Sequence, residues 1–414
     1  MISCGMDVNL QTEGHGRPIH WAALLGNVNV VKVLQKNGAI MESLTKTKMS
    51  PLDLALIYEK KEVAEFLLRN GSDVNRRDGY HGFTPIYLTI ITRNVELTKL
   101  LLEHGANLNI EINEPNEGSL WVSVWTPLYF AIAKENLEIV KLLTHSGVDV
   151  NTVNEKGISP LAFAVFENES VEIAAHFINV GANLDFDNSS KQLPLHFAIV
   201  NEKYEMAKLL IENGTNLNVR NEKGNLPLVL SISKEKIEIT KLLIENGAEI
   251  NIIDGQGYSP LHLACERGNT EAVKLLLDNG ALVHMKSRPN QWTPLHFAAY
   301  HGRRDVVQIL LKNGADIFLV DKFGSSALHK AAKSGQVECA KILLNYEVDV
   351  NQKDFKKNTP LHWAISKMQE NTIGMLIENG ACIHQKNSSG YSPLEYVLMR
   401  SNSKVMKSMI ILSF

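Results

Sequence analysis

At 414 residues the chain is long enough for two or three ordinary domains or for one elongated array. With 44% hydrophobic and 21% charged residues it holds ample material for a core, which excludes disorder along its length. The formal net charge of −3 argues against a generic polyanion binder. That charge is unevenly placed: residues 1–207 carry 17 Lys+Arg against 25 Asp+Glu, and residues 208–414 carry 25 against 20. The asymmetry reads either as ordinary drift over a long surface or as two halves that prefer partners of opposite sign.

The N-terminal stretch MISCGMDVNLQTEG has neither a basic n-region nor an apolar h-region. No apolar run approaches ~18 residues, so membrane insertion is not expected. Cys4, Cys265, Cys339 and Cys382 lie far apart with no paired spacing, which suits reduced thiols in a cytoplasmic or nuclear protein.

Along the chain one element recurs: RPIH, SPLD, TPIY, TPLY, SPLA, LPLH, LPLV, SPLH, TPLH, SALH, TPLH and SPLE. Its prolines run from Pro18 to Pro393 in steps of 33 or 34 residues, with one step of 42 between Pro85 and Pro127 and with Ala327 in the tenth slot. Ser or Thr before Pro marks a helix start, because the hydroxyl accepts an orphan N–H and Pro suits the first helical position. A short helix of two turns follows, its Leu and small Ala residues allowing close approach of neighbours. A second helix then opens on an acid such as Glu62, Glu138 or Glu271 at the positive end of its dipole, and an LL pair supplies its core stripe. Glycines such as Gly38, Gly147 and Gly314 end it, where a left-handed residue is wanted. A polar, turn-rich stretch leads to the next start.

These residues together resemble the ankyrin-repeat family over about residues 5 to 412, in twelve repeats. The resemblance implies an all-α solenoid of helix-turn-helix repeats with protruding β-hairpin loops, whose concave face of hairpins and first helices grips partner proteins. The organisation expected is a partial repeat tail at 1–13 and repeats over 14–390. These start near 14, 47, 81, 123, 156, 190, 223, 256, 290, 323 and 356, and a capping repeat follows at 389–414. The long step places a hairpin insertion at 110–122, rich in Glu111, Glu114, Glu117, Trp121 and Trp125. It is either a partner-specific finger or a tolerated insertion whose tryptophans fold back onto the array. The tenth repeat has Glu347 where the helix-ending Gly belongs; a left-handed non-Gly residue costs roughly 1–2 kcal/mol, so this repeat is expected to be the softest internal point. Both ends look poorly shielded, with Leu24 and Leu25 at one and MIIL at the other, which suggests a piece of a larger product or ends that make contacts.

The histidines are the first candidates for chemistry. Six of them (His20, His196, His262, His296, His329 and His362) fill the PLH slot, where the family uses the imidazole to hold hairpin to helix. His296 and His301, five residues apart, stand roughly 140° apart around a helix and cannot share a ligand. There is no HExxH, GxSxG or P-loop, and no GxGxxG after a strand. The sequence therefore reads as non-enzymatic, with no catalytic residue, cofactor, metal or small-molecule substrate, and no specific nucleic acid.

In the family the specificity positions lie two before the Pro, at the tip, and six and seven after it, at the end of the first helix. Here they hold Phe83, Trp125, Tyr258, Trp292 and Tyr391 at the tips, and Tyr58, Phe166, Glu266, Arg267, Tyr300 and His301 on the helix side. Repeats eight and nine are richest, so Tyr258, Glu266, Arg267, Trp292, Tyr300 and His301 form the candidate partner-binding patch, with Phe83, Trp125 and Trp121 as further contacts. Some of these aromatics can instead pack on the neighbouring hairpin. Asn75, Asn151, Asn251 and Asn351, each with an acid two residues before and Leu eight before, match hairpin asparagines that the family offers to an asparaginyl hydroxylase; the plainer role is to hydrogen-bond the hairpin. The expected function is an interaction scaffold. Alternatives are a secreted effector or toxin-like protein and the substrate-recognition part of a ubiquitin ligase.

Overall fold

The computed structural model describes residues 7–11, 16–77, 82–113, 122, 124–185 and 193–399. Expectations placed on Trp121, on Glu114 and Glu117, and on the terminal MIIL lie outside them. Among the described residues, helices come in eleven pairs, from Pro18–Leu25 with Val28–Lys36 to Pro360–Ser366 with Glu370–Glu378. A lone first helix, Pro393–Met399, follows. The chain divides into two compact bodies, Met1–Phe197 and Ala198–Phe414. In the first, first helices pack on first helices from Pro18–Leu25 to Pro160–Phe163, and second helices do the same beside them. The second body repeats this from Pro227–Ser233 to Pro393–Met399.

First-helix starts follow the sequence at Ser50, Ser159 and Ser259, whose hydroxyls accept the N–H three residues on while Pro takes the first helical position. Thr84 and Thr126 keep the extended turn and the Pro without that bond, and Leu226 takes the cap slot in repeat seven. The PLH histidine completes the cap. In repeat nine the Thr293 N–H donates to His296 Nδ1 (3.2 Å), and His296 Nε2–H then donates to the Ser325 carbonyl of the next repeat at 2.9 Å. His262, His329 and His362 do the same towards Trp292, Asn358 and Tyr391. A tyrosine or an acid can take the slot. The Tyr87 hydroxyl lies 2.6 Å from Ile110 O and 2.7 Å from Trp125 O, and Asp53 accepts from the Ser50 N–H at 2.8 Å.

Loops between pairs are tight turns closed by an Asp or Asn. Asp254 Oδ1 accepts from the N–H groups of Gln256 and Tyr258, and Asp321 and Asp354 repeat the arrangement. In the second body successive tips are joined by single main-chain bonds: Gly255 to Gly224, Arg288 to Gly257, Lys322 to Asn290, Phe355 to Phe323 and Ser388 to Lys356. The one strand ladder among the described residues is antiparallel, Ile112–Asn113 on Val124–Trp125. It carries the insertion.

The first helix of repeat five contains an extra residue. Glu169 stands nine positions after Pro160, where Glu135 stands eight after Pro127, and a π-helical turn over Ala164–Asn168 absorbs the difference. Phe166 is consequently buried against Phe197, with ring centroids 4.7 Å apart. It is not on the surface, as its slot suggests.

Left-handed residues close both helices of a repeat. At the second-helix end Glu347 does adopt the conformation expected of it, φ 59°. The tenth repeat is not singular in this respect, because the first-helix slot is filled by Glu59, Arg93, Glu135, Glu169, Glu202, Glu235 and Met368, all with φ between 51° and 62°. Repeats two to seven and eleven thus carry the same kind of strain, while repeats eight, nine and ten hold glycine there.

Candidate partner-binding surface

The patch centres on Phe297, which stands three positions into the first helix of repeat nine, Pro294–Tyr300. Tips deliver Tyr258 and Trp292 onto its edges, with centroids at 5.4 and 5.1 Å. Tyr300 meets Trp292 at 5.2 Å and His301 at 5.1 Å, and the His301 ring lies parallel to Phe297. The sequence separates these residues, and the stacking of repeats gathers them. All of Tyr258, Trp292, Tyr300 and His301 are half-buried, so each packs on its neighbours and still presents an edge. Arg267, at the end of the preceding first helix, is exposed, and among the described residues it forms no ion pair or side-chain hydrogen bond. Tyr258, Glu266, Arg267, Trp292, Phe297 and His301 line a groove of ≈ 480 Å³, and Tyr300 backs it through Trp292 and His301.

Electrostatics tune the rim. His301 Nε2 stands 3.9 Å from Glu266 Oε1. Burial lowers the His301 pKa, and Glu266 opposes that shift only in part. The imidazole is therefore a neutral hydrogen-bonding group near pH 7. Trp292 is fixed on its other side: its Nε1–H donates to Asp321 Oδ2 (3.2 Å), and the Lys330 ammonium sits 4.7 Å from the ring centroid. Burial alone would raise Asp321, yet the Lys330 ammonium 2.6 Å away and the Ser325 N–H hold its pKa below the usual value.

The scaffold histidines differ from His301. Burial drives His262, His296 and His329 down to about 4. In the folded cap Nδ1 accepts from the backbone N–H of the Ser or Thr three residues before, with that residue's hydroxyl 2.8 Å away. No cluster of three or more His, Cys, Asp or Glu with metal-holding geometry occurs among the described residues. Cys265 and Cys339 are buried and their thiols are pushed up, Cys339 to about 11.

Phe83 and Trp125 need correction as surface contacts. Both are buried, at 7% and 5% exposure. Phe83 packs against Tyr87 and Phe130, and Trp125 meets Phe130 and Phe163 edge-on at 6.0 and 5.8 Å. The ladder pairing Trp125 with Ile112 turns the indole inward, so this tryptophan folds back onto the array. The asparagines Asn75, Asn151, Asn251 and Asn351 are stitches between repeats. Each side-chain amide donates to the glycine carbonyl that ends the next second helix and accepts an N–H two residues further on.

Twelve short helical starts, glycine- or acid-closed helices and stitched loops make one repeating design, and the family model for ankyrin repeats matches it over residues 1–78, 79–154, 128–221, 161–254, 228–321 and 316–387. The chain belongs to the ankyrin-repeat family. Relatives share shorter segments. An ankyrin repeat protein of Rickettsia bellii is 37% identical over 81 residues, 19% of this chain and 33% of that protein. A protein of Arabidopsis thaliana named as an E3 ubiquitin-protein ligase, XBAT34, is 41% identical over 83 residues, 20% of this chain and 22% of its own length. L371 of Acanthamoeba polyphaga mimivirus is 26% identical over 116 residues, 28% of this chain and 15% of its own. The chain thus spans a third or less of each relative's length. The crystal structure of the human ASB11 ankyrin repeat domain is also similar, at TM-score 0.49 and 28% identity over 53% of this chain and 98% of that one. Ankyrin repeats are a non-enzymatic module for protein–protein interaction, and no described helix of this ankyrin array is long and apolar enough to cross a membrane.

The aromatics and Arg at fixed slots in repeats eight and nine are gathered on one face, whereas Phe83, Trp125 and Phe166 at equivalent slots are buried. These slots pass over Lys330, Lys333, Trp363, Phe323 and Phe355, which line a second groove further along the second body. The missed signal is the column three after each Pro, which reads Phe297, Lys330, Trp363 and Tyr396.

Proposed function

We propose that this ankyrin array is a scaffold that holds partner proteins on its tip and first-helix face, with Tyr258, Glu266, Arg267, Trp292, Tyr300 and His301 as the principal contacts. The observation that carries the reading is the groove in repeats eight and nine. Rigid, half-buried aromatics stand there beside the exposed guanidinium of Arg267, which has no partner of its own among the described residues. Aromatic anchors beside an unpaired Arg are the side chains that dominate interface energetics. Trp292 also braces repeat ten through Asp321, so Arg267 and Tyr300 are the cleaner probes. Affinity capture from cells with wild type and an Arg267→Ala, Tyr300→Ala double variant of equal thermal stability tests it: loss of specific partners supports the reading, and an unchanged partner set overturns it.

The likeness to XBAT34 favours a second reading, in which the array presents substrates to a ubiquitin ligase. It is supported only by a shared repeat segment, and its test is whether ligase subunits are captured with the chain. We place the protein in the cytoplasm or nucleus on its widely spaced cysteines; a fluorescent fusion found in the secretory pathway would contradict that. For the four asparagines we favour the stitching role, since both ends of each amide are already engaged.

A further inference from the structure

Repeats nine to eleven form a second groove of ≈ 680 Å³ in the same body. Its floor is Lys330 and Trp363, and its rim is the row of tips. Lys330 is neutralised internally by Asp321, both side chains being buried. Lys322, Lys333 and Lys356 are different: among the described residues no carboxylate lies within ion-pair distance of any of them. The one acid lining the groove, Asp354, is fully occupied. It accepts from Trp363 Nε1–H at 3.0 Å and from the N–H groups of Lys356 and Asn358 at 2.9 and 2.8 Å. The Lys333 ammonium stands 4.6 Å over the Trp363 ring; burial, Lys330 and Lys367 lower its pKa, and Asp321 opposes them only in part.

Apolar surface alternates with this charge. Phe323 and Phe355 occupy adjacent tips, joined by the Phe355 N–H to the Phe323 carbonyl, and are 52% and 73% exposed. The second ring is seated, not adrift. It lies over Gly324, where a Cβ would come 2.5 Å from its Cδ1. A cationic groove edged by fixed, exposed aromatic rings needs a ligand that brings negative charge and apolar side chains in turn.

We propose that the groove of Lys322, Lys333, Lys356, Phe323, Phe355 and Trp363 binds an extended acidic peptide in which carboxylates alternate with apolar side chains. Carboxylates meet the three ammonium groups, Lys322 Nζ keeping its hydrogen bond to the Pro289 carbonyl, and apolar side chains cover Phe323 and Phe355. The inference rests on the reading of this face as a protein-binding surface but uses other residues. A peptide fits better than a nucleic acid because the groove offers only three cations without a carboxylate partner, Lys322 and Lys356 at adjacent tips and Lys333 on the first helix Ala327–Ser334, and these do not make the continuous basic track that a phosphate backbone needs.

The test is fluorescence anisotropy on the full chain. The probe is a labelled peptide of about twelve residues alternating Glu or Asp with Leu or Phe, against the same peptide with Gln and Asn. The acidic peptide should bind at least about tenfold tighter than its amide twin and weaken as salt rises from about 50 to 300 mM. Lys333→Glu with Lys356→Glu should weaken it by a further tenfold or more, Lys356 being exposed and Lys333 half-buried over Trp363; Lys356→Glu alone should weaken it by a smaller factor. Arg267→Ala with Tyr300→Ala should leave it unchanged, which separates this groove from the neighbouring one. Equal binding of the two peptides, an unmoved affinity in the charge-reversed variant, or equal or tighter binding of single-stranded oligouridylate would each overturn the proposal.

Discussion

Replacing Glu347 with glycine isolates the energy of one left-handed residue. Glu347 has φ 59° at a slot where ten other repeats place glycine with φ between 80° and 93°. The glycines at that slot, Gly280, Gly314 and Gly380 among them, have nothing within 4 Å of where a Cβ would stand. The Glu347 side chain therefore gains no packing that would offset its backbone strain of roughly 1–2 kcal/mol. Glycine gives back about 0.4–1 kcal/mol through the extra freedom of the unfolded chain. The net expectation is that Glu347→Gly stabilises by about 0.5–1 kcal/mol, and that Gly314→Glu destabilises by a similar amount. Native-state hydrogen exchange over residues 337–350 reads the effect locally, which suits an array whose repeats need not unfold together. If Glu347→Gly leaves protection unchanged or lowers it, the strain assignment is wrong, and with it the account of the seven residues in the first-helix slot.

Four further expectations follow from the geometry. Because the folded pKa of His262, His296 and His329 is about 4 and the unfolded value about 6.5, the unfolded chain binds more protons between these values. Repeats eight to ten should be fully stable above pH ~6.5 and lose on the order of 1.4 kcal/mol per histidine per pH unit as the pH falls towards 4; urea midpoints across that window check this, and a flat profile refutes it. Trp125→Ala should cost about 3–5 kcal/mol of local stability in repeats three to five, seen as lost exchange protection, instead of acting only on partner capture. Asn251→Ala removes the bonds to Gly280 O and Leu282 N–H and should destabilise the loop by about 1–2 kcal/mol. Peptide mass spectrometry on wild type should show no +16 species at Asn75, Asn151, Asn251 or Asn351 if stitching is their whole role.

The repeat boundaries are legible in the sequence because they rest on backbone demands. Pro at a first helical position and Gly at a left-handed end recur wherever the geometry does, and the 33-residue period exposes them. Side-chain direction is less legible. Trp125 occupies a tip slot like Trp292, yet a two-residue ladder beside a long insertion turns the first inward, while a tight Ser287-closed loop leaves the second at the groove. The π turn of repeat five is one residue in a step of 34, the same step that a longer tip produces between Pro260 and Pro294, so period alone cannot locate it. The basic groove depends on Lys330, Trp363 and Phe355 meeting across repeats. That proximity appears only when the repeats are stacked in register.

The central claim is that partners lie on the tip and first-helix face. Photo-crosslinking tests it most directly. A photoreactive phenylalanine derivative in place of Gln256, which lines the groove of repeats eight and nine, is compared with one in place of Lys274, exposed on the second helix Thr270–Asp278 of the same repeat. Partner adducts should form from position 256 and stay at background from position 274. Adducts from 274 alone would contradict it.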